Sequence, residues 1–358
     1  MAKRGLILAT SGIQRERAGY DSPMQPTRYL TGITTSGSPH LGNYVGAIKP
    51  AIEFSRLTSA ESFYFLADYH ALIKTDSPEL ILQSTLEIAA TWLALGLDPA
   101  RVTFYRQSDI PEIAELTWML TCSTAKGLMN KAHAYKAALD SNRAQSLDDD
   151  AGISMGLYMY PVLMAADILA FRADRVPVGR DQVQHIEICR DIAQRFNHRF
   201  GPVLTLPQPA VDENTATLPG LDGRKMSKSY GNTIALMLDE KALKKAINRI
   251  VTNLKAPGEP KSPEESGLFP IWSAFSTPEQ TAWMSDQLGA GMAWGEAKRE
   301  LYEKVNAQIG PARERYHALM NAPADVEALL VDGAERARMV SREVLGAVRE
   351  AVGIRRLR

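Results

Sequence analysis

The chain alternates between short strand-like segments and longer helix-like segments from about residue 28 onward. The strand-like segments include TRYLTGI, ESFYFLADYHALI and RVTFYRQS, and the helix-like segments include LILQSTLEIAATWLAL and PEIAELTWMLTC. Strands separated by helices of this length are typical of βαβ units with a parallel sheet. Ligands of such sheets bind at the carboxyl ends of the strands, so the turns after the strands are the first candidates for a functional site.

Strand signals fade beyond about residue 236, where helical patterns dominate. The sequence therefore predicts an α/β fold, with a parallel sheet within residues 28–235 and an appended α-helical domain over residues 236–358. Residues 1–27 mix charged residues, glycine and proline, so they are predicted to form a poorly ordered N-terminal extension.

Charge and cysteine content narrow the class of protein only slightly. The chain has 41 Lys+Arg and 41 Asp+Glu, so no overall positive field indicates a nucleic-acid partner, although a local basic patch can bind one. Cys122 and Cys189 are far apart and form no CxxC pair, which predicts a reduced, cytoplasmic protein. No apolar run is as long as a membrane span, so no membrane association is predicted.

The stretch TTSGSPHLGNYVGAI (Thr34–Ile48) follows the first strand-like segment. Gly37 and Gly42 allow a tight turn and a close approach to a ligand, and a helix is predicted to start near Asn43. Helix N-termini favour phosphate, and His40 and Asn43 would add neutral donors. An ordinary strand–turn–helix connection explains this stretch equally well when it is taken alone.

The stretch LDGRKMSKSYGNTI contains two lysines, Lys225 and Lys228, with Ser227 between them. Gly223 and Gly231 flank the lysines, so the sequence predicts a mobile cationic loop that suits a polyphosphate leaving group. A solvated charged loop is the alternative, but the complete string KMSKS specifies five positions.

Two further stretches place polar side chains where a ligand could bind. In GLYMYPVLMAADILAF, a helix would put Tyr160, Met164 and Asp167 on one face. Asp167 lies in an apolar run and needs a partner, either a buried donor of the fold, which the residues alone favour, or a ligand N–H. In VPVGRDQVQHIEI, Gly179 makes a turn and Asp181 precedes a helix that bears Gln182 and His185. This strand–turn–helix segment is either a second ligand-binding site or a plain connection with Asp181 as the helix cap.

Together these stretches resemble the class I aminoacyl-tRNA synthetases, whose two signatures are HIGH and KMSKS. His40-Leu41-Gly42-Asn43 is similar to the first, with asparagine in place of the final histidine, and Lys225–Ser229 matches the second in full. YPVLMAADI and VPVGRDQVQHIE resemble the tryptophanyl-tRNA synthetase versions of these segments. The resemblance covers about residues 28–358 and has one departure, because Thr34-Thr35 stands where the bacterial form usually has Gln-Pro.

The resemblance implies a Rossmann-like nucleotide-binding catalytic domain over residues 28–235 and a reaction with ATP, accompanied by Mg²⁺, without a protein-bound structural metal. The catalytic residues that it implies are His40, Asn43, Lys225, Ser227 and Lys228. The ATP-binding residues that it implies are Thr34, Thr35, Ser36, Gly42, Asn43, Gly179, Arg180, Asp181, Lys225, Met226, Ser227, Lys228 and Ser229.

The resemblance also implies the partners. The tryptophan-binding residues would be Asp167, Tyr160, Met164, Gln182 and His70, with the indole N–H as the partner of Asp167. The other partners would be tRNA(Trp), whose anticodon residues 236–358 would read, and a second copy of the chain in a homodimer.

Three alternatives stay open. A tyrosyl-tRNA synthetase shares the fold and both signatures, but an aspartate inside MAADI does not suit a phenol. A catalytically silent RNA-binding paralogue would not need the intact KMSKS. A nucleotidylyltransferase also uses HIGH-like loops but would have no use for the helical domain.

Overall fold

The computed structural model describes residues 26–56, 60–179, 182–211 and 217–357. The predicted extension at residues 1–27 therefore lies outside the described residues, except for its last two positions. Among the residues described, no helix is both long and apolar enough to cross a membrane.

Five parallel strands form one sheet, which confirms the predicted α/β fold. The strands are β1 (Thr27–Thr34), β2 (Ala60–Ala67), β3 (Val102–Arg106), β4 (Arg175–Val178) and β5 (Gln208–Val211). Their order is β3-β2-β1-β4-β5, with every pairing parallel. The order reverses between β1 and β4, and ligands of doubly wound sheets bind beyond the carboxyl ends of the strands at such a point.

Helices connect the strands, and every regular element described after residue 236 is helical. They are α1 (Leu41–Asn43), α2 (Lys49–Ser55), α3 (Asp68–Ala71), α4 (Pro78–Ala94), α5 (Pro111–Ser123), α6 (Lys126–Met129), α7 (His133–Ala144), α8 (Met155–Leu169), α9 (Val183–Phe200), α10 (Glu240–Asn248), α11 (Leu268–Ala274), α12 (Pro278–Gly289), α13 (Trp294–Met320) and α14 (Pro323–Val352). A π-helical turn, Tyr44–Ile48, joins α1 to α2. Short 3₁₀ turns lie at Gln107–Asp109, Lys228–Tyr230 and Pro263–Glu265.

Strand β2 is buried on both faces over most of its length, which explains its continuous apolar sequence. In β2 the four consecutive residues 63–66 are at most 6% exposed. Gly32 in the neighbouring β1 lies against the ring of Phe65, and a Cβ atom at Gly32 would come within 2.4 Å of that ring. Glycine is therefore needed at position 32 of β1, because any side chain there would collide with the Phe65 ring that packs against it.

The helices after residue 236 pack against the sheet-bearing part of the chain. One apolar cluster contains Leu41, Ile48 and Trp92 from the first part together with Trp272 and Leu330 from the second. This cluster is continuous across the predicted boundary at residue 236. A separate domain over residues 236–358 therefore stays a prediction.

Helix α14 returns to β3, one of the two edge strands of the sheet. A Cβ atom at Gly333 would lie 1.7 Å from the carbonyl oxygen of Phe104, so glycine allows the helix to approach the strand backbone closely. Ion pairs join α14 to β3 through Arg106–Glu327 and to the neighbouring α5 through Glu112–Arg338, both with N–O distances below 3.0 Å.

We expect Gly333→Val to destabilise the protein by roughly 1–3 kcal/mol or more, because the side chain must push α14 away from β3. The measurement is the free energy of unfolding in urea. Gly346→Ala on the same helix is the matched control, since a Cβ atom there meets no atom within 4 Å, and alanine stabilises a helix by roughly 0.5–1 kcal/mol relative to glycine. Equal stability of the two variants would contradict the close contact.

Candidate active site

The loop after β1 is held by side chains of α4. The backbone N–H of Gly37, which has φ +105°, donates to Ser84 Oγ at 2.7 Å. The hydroxyl of the next residue, Ser38, donates to Glu87. These bonds fix the loop between β1 and α1 at the carboxyl edge of the sheet.

His40 and Asn43 cap the helix that begins at Leu41. The backbone N–H of Asn43 donates to His40 Nδ1 at 3.3 Å, and the backbone N–H of His40 donates to Asn43 Oδ1 at 3.1 Å. Burial, with a smaller repulsion from Lys228, lowers the pKa of His40 to about 4. The ring is therefore neutral at pH 7, and because Nδ1 accepts a hydrogen bond, the proton lies on Nε2, which can donate to an anion.

Thr34 and Thr35, which stand where the family usually has Gln-Pro, have different environments. Thr34 is partly exposed, whereas Thr35 is fully buried. The Thr35 hydroxyl has no hydrogen-bond partner among the described residues. The adjacent Ser36 offers its carbonyl oxygen to Lys228. A contact of Thr34 or Thr35 with ATP stays a prediction.

Lys228 joins the two signature segments. Its ammonium group donates to the carbonyl oxygens of Ser36 at 3.2 Å and Gly37 at 2.5 Å. Desolvation, followed by repulsion from Lys74, lowers the pKa of Lys228 to about 8. An antiparallel bridge between His40 and Ala235 adds a backbone connection between the same two segments.

The other residues of KMSKS have distinct positions. Lys225 is exposed, and the hydroxyl groups of Ser227 and Ser229 are 2.8 Å apart. Met226 is only 4% exposed and belongs to the apolar cluster. Any contact of Met226 with a nucleotide would therefore have to come from its backbone, while its side chain anchors the loop.

Asn232 organises the KMSKS loop and was missed by the sequence analysis. Its side-chain oxygen accepts from the backbone N–H of Ser227 at 2.8 Å. Its amide nitrogen donates to Asp222 Oδ1 at 2.7 Å and to the carbonyl oxygen of Lys225 at 3.1 Å. An asparagine just after a glycine-bounded loop was the available signal, because asparagine commonly bonds the backbone of turns.

Asp167 lies on α8 and contacts the carboxyl ends of two strands. It is 1% exposed, with Oδ2 2.9 Å from His70 Nε2 beyond β2 and Oδ1 2.7 Å from Gln107 Nε2 beyond β3. Burial raises the pKa of Asp167, and the hydrogen bonds from His70 and Gln107 act in the opposite direction. His70 was predicted for this site, whereas Gln107 was not.

Tyr160, Met164 and Asp167 lie on α8 as predicted, and the tyrosine has a neighbour from α9. The hydroxyl of Tyr160 is hydrogen-bonded to His185 Nε2 at 2.7 Å, and the rings of Tyr160 and His70 are 6.4 Å apart. Met164 is partly buried and packs against another apolar cluster, which contains Phe65 and Ala166. His70 and Tyr160 thus connect the Asp167 group with the start of α9.

The corner after β4 is only partly described. The carbonyl oxygen of Gly179 accepts from the backbone N–H of Gln182 at 2.9 Å, and Gln182 is exposed at the start of α9. Arg180 and Asp181, both predicted to bind ATP, lie outside the described residues. Since β1, β2, β3 and β4 are parallel, their following turns share one edge of the sheet.

No group of three or more histidine, cysteine, aspartate or glutamate side chains among the described residues could hold a metal ion. For an anion, the site offers the neutral His40, the two lysines Lys225 and Lys228, and backbone groups. For a hydrogen-bond donor of a ligand, it offers the buried carboxylate of Asp167. This combination suits a substrate with phosphates at one end and an apolar group with one N–H at the other.

Comparisons with known proteins agree with this chemistry. Residues 22–309 match the family model of tRNA synthetases class I (W and Y). The chain is 60% identical over 336 residues to the tryptophan–tRNA ligase of Neisseria meningitidis, covering 94% of this chain and 100% of the relative. It is 61% identical over 335 residues to the tryptophan–tRNA ligase of Pseudomonas aeruginosa, covering 93% and 75% respectively.

Solved structures have the same fold. The tryptophanyl-tRNA synthetase of Campylobacter jejuni, complexed with ADP and tryptophan, has a TM-score of 0.82 at 41% identity and covers 91% of this chain and 100% of its own. The tyrosyl-tRNA synthetase of Archaeoglobus fulgidus, complexed with L-tyrosine, has a TM-score of 0.59 at 19% identity over 81% of this chain and 90% of its own, which shows a shared fold alone.

Proposed function

The chain belongs to the class I tRNA synthetases of the tryptophan and tyrosine family, and from this membership we propose that its site activates L-tryptophan with ATP and transfers it to tRNA(Trp). The observation that carries the proposal is the contact of Lys228 with the loop after β1. This contact unites the two signature segments at one edge of the sheet, as a site for a polyphosphate requires.

The first step forms tryptophanyl-adenylate. The carboxylate of tryptophan attacks the α-phosphorus of ATP, and the bond to the leaving pyrophosphate breaks. Since the nucleophile is already an anion, no general base is needed, and positioning and charge stabilisation supply most of the acceleration. The second step transfers the aminoacyl group to the 3′ end of tRNA and releases AMP.

The segments around the first loop and KMSKS bind the nucleotide. His40 donates through Nε2 to a phosphate oxygen, and Lys225 and Lys228 stabilise the charge of the β- and γ-phosphates as they leave. Ser227 and Ser229 add hydroxyl donors beside the lysines. Mg²⁺ enters with the phosphates of ATP, as part of the substrate.

The group around Asp167 binds tryptophan. Its carboxylate accepts the indole N–H, Met164 packs on the indole, and Tyr160 and Gln182 bind the α-ammonium group. A site built to bond a substrate N–H can reject an analogue that lacks it by up to about 10⁴–10⁵. Phenylalanine is rejected because it would leave Asp167 without the N–H that the site is built to bond.

Membership of this family also suggests the partners of the protein and its location in the cell. We propose a homodimer in the cytoplasm, in which the helices after residue 236 read the anticodon. Cys122 and Cys189 are free thiols, in keeping with a reducing compartment.

The decisive test is the amino-acid-dependent exchange of pyrophosphate into ATP, with tryptophan and tyrosine compared, followed by charging of tRNA(Trp). Exchange with tryptophan alone supports the proposal. Exchange with tyrosine alone would assign the site to the tyrosine branch of the family. Absence of exchange with either amino acid would favour the RNA-binding alternative.

The lowered pKa of Lys228 predicts how activity depends on pH. Lys228 is a cation below its pKa of about 8 and loses its charge above it, so kcat/KM for ATP should fall up to tenfold per pH unit above about pH 8. His40, with a pKa of about 4, stays neutral over the same range. In Lys228→Arg the side chain stays charged, and the decrease should disappear. An unchanged decrease in that variant would refute the assignment.

A further inference from the structure

Gln107 has its side-chain orientation fixed by the backbone of a neighbouring turn. It is fully buried at the first position of the 3₁₀ turn after β3. Its Oε1 accepts from the backbone N–H of Tyr69 at 3.1 Å. Because a backbone N–H can only donate, it identifies Oε1, and the other end of the amide must be the NH₂ group that faces Asp167 Oδ1 at 2.7 Å.

The carboxylate of Asp167 is thereby held from two directions. Gln107 donates to one oxygen from the end of β3, and His70 lies 2.9 Å from the other oxygen at the end of β2. Two partners, one in α3 after β2 and one in the 3₁₀ turn after β3, fix both torsions of the aspartate side chain. Each carboxylate oxygen has a second lone pair, so acceptor capacity remains for a ligand donor.

Gln107 is suited to this task because its amide is neutral. A cationic partner at 2.7 Å would form an ion pair and compete with a weak donor such as an indole N–H. An amide orients the carboxylate and supports its ionised form without neutralising it.

We propose that Gln107 is a positioning residue for tryptophan specificity, which holds Asp167 so that a free lone pair faces the indole N–H. This inference rests on the proposed function and adds a residue from outside the signature segments. Gln107 acts through Asp167 and need not contact the substrate.

The test compares tryptophan with β-(3-benzothienyl)alanine, in which sulfur replaces the indole N–H. The quantity measured is the ratio of kcat/KM for the two amino acids in pyrophosphate exchange. For Gln107→Met, which has a similar length but no donor, the ratio should fall roughly 10- to 100-fold, the value of a buried hydrogen bond to a charged group. The loss should appear mainly in KM for tryptophan, while KM for ATP stays unchanged.

Thr91→Val is the matched control. Thr91 is also fully buried, its hydroxyl has no partner among the described residues, and it lies on α4. Its substitution perturbs a buried polar position away from Asp167, so the selectivity ratio should not change. Thermal unfolding of each variant reports on folding.

Gln107→Leu is a second variant in case the methionine variant fails to fold. Leucine also removes the donor to Asp167, while the backbone N–H of Tyr69 keeps Asp68 Oδ1 as an acceptor, so the ratio should again fall. A ratio unchanged in the folded variants, or an equal loss for both amino acids, would overturn the proposal. If the unsubstituted enzyme does not prefer tryptophan over the analogue, the error lies instead in the proposed indole contact.

Discussion

Replacing both Lys225 and Lys228 by alanine should lower the rate of tryptophan-dependent pyrophosphate exchange by roughly 10⁴-fold. The leaving pyrophosphate gains negative charge as its bond to the α-phosphorus breaks, and preorganised donors at such a position contribute roughly 10²–10³ each. Lys228 already lies on the carbonyl oxygens of the first loop, so its charge is in place before the reaction. Exchange kinetics at saturating ATP and tryptophan measure the effect.

The control removes two lysines elsewhere. Lys241 and Lys245 are exposed on α10, so the double alanine variant changes the net charge equally without touching the loop. Its exchange rate should equal that of the unsubstituted enzyme, because exchange needs no tRNA. Undiminished adenylate formation in the Lys225/Lys228 variant would show that other groups stabilise the leaving phosphates.

Asp167→Asn should lower kcat/KM for tryptophan by roughly 10- to 100-fold, since a hydrogen bond to a buried charge is worth about 1.5–3 kcal/mol. The variant has the same shape, but its NH₂ group must face either the NH₂ group of Gln107, where two donors meet, or Nε2 of His70, which then has to change tautomer to accept. In both orientations the indole N–H loses the carboxylate. The measurement is exchange with varied tryptophan.

Asp191→Asn is the control for removing a carboxylate, because Asp191 is exposed on α9. It should leave kcat/KM unchanged. A normal KM for tryptophan in Asp167→Asn would mean that the carboxylate only stabilises the fold. In that case the variant should lose thermal stability without losing selectivity against phenylalanine.

The sequence predicted the sheet and the signature segments well because both depend on local patterns. Apolar runs such as that of β2 identify buried strands, and KMSKS is contiguous. The two partners of Asp167 were harder to predict, because they lie 60 and 97 residues away along the chain. Only the pairing of strands brings His70 and Gln107 to the same carboxylate, although Gln107 directly follows β3 and His70 lies in the short helix after β2, close to the strand ends where ligand-binding residues concentrate.

Motif membership also did not reveal which way each side chain points. Met226 stands inside KMSKS, yet its side chain is in the apolar cluster. Thr35 stands inside the first loop, yet its hydroxyl is buried. The π-helical turn at Tyr44–Ile48 was equally invisible, because its apolar residues fit an α-helical pattern. A motif fixes the course of the backbone, whereas the direction of a side chain depends on neighbours that are distant in sequence.

The contact between Gly333 and β3 has a consequence for synthesis on the ribosome. A growing chain completes β3 at Arg106, but residues 107–322 must be added before α14 begins. During that time the outermost strand has unpaired backbone groups on one side, and such edges can pair with other chains. Nascent chains that stop before α14 should therefore bind chaperones or associate with one another, whereas release of the completed helix should end this exposure.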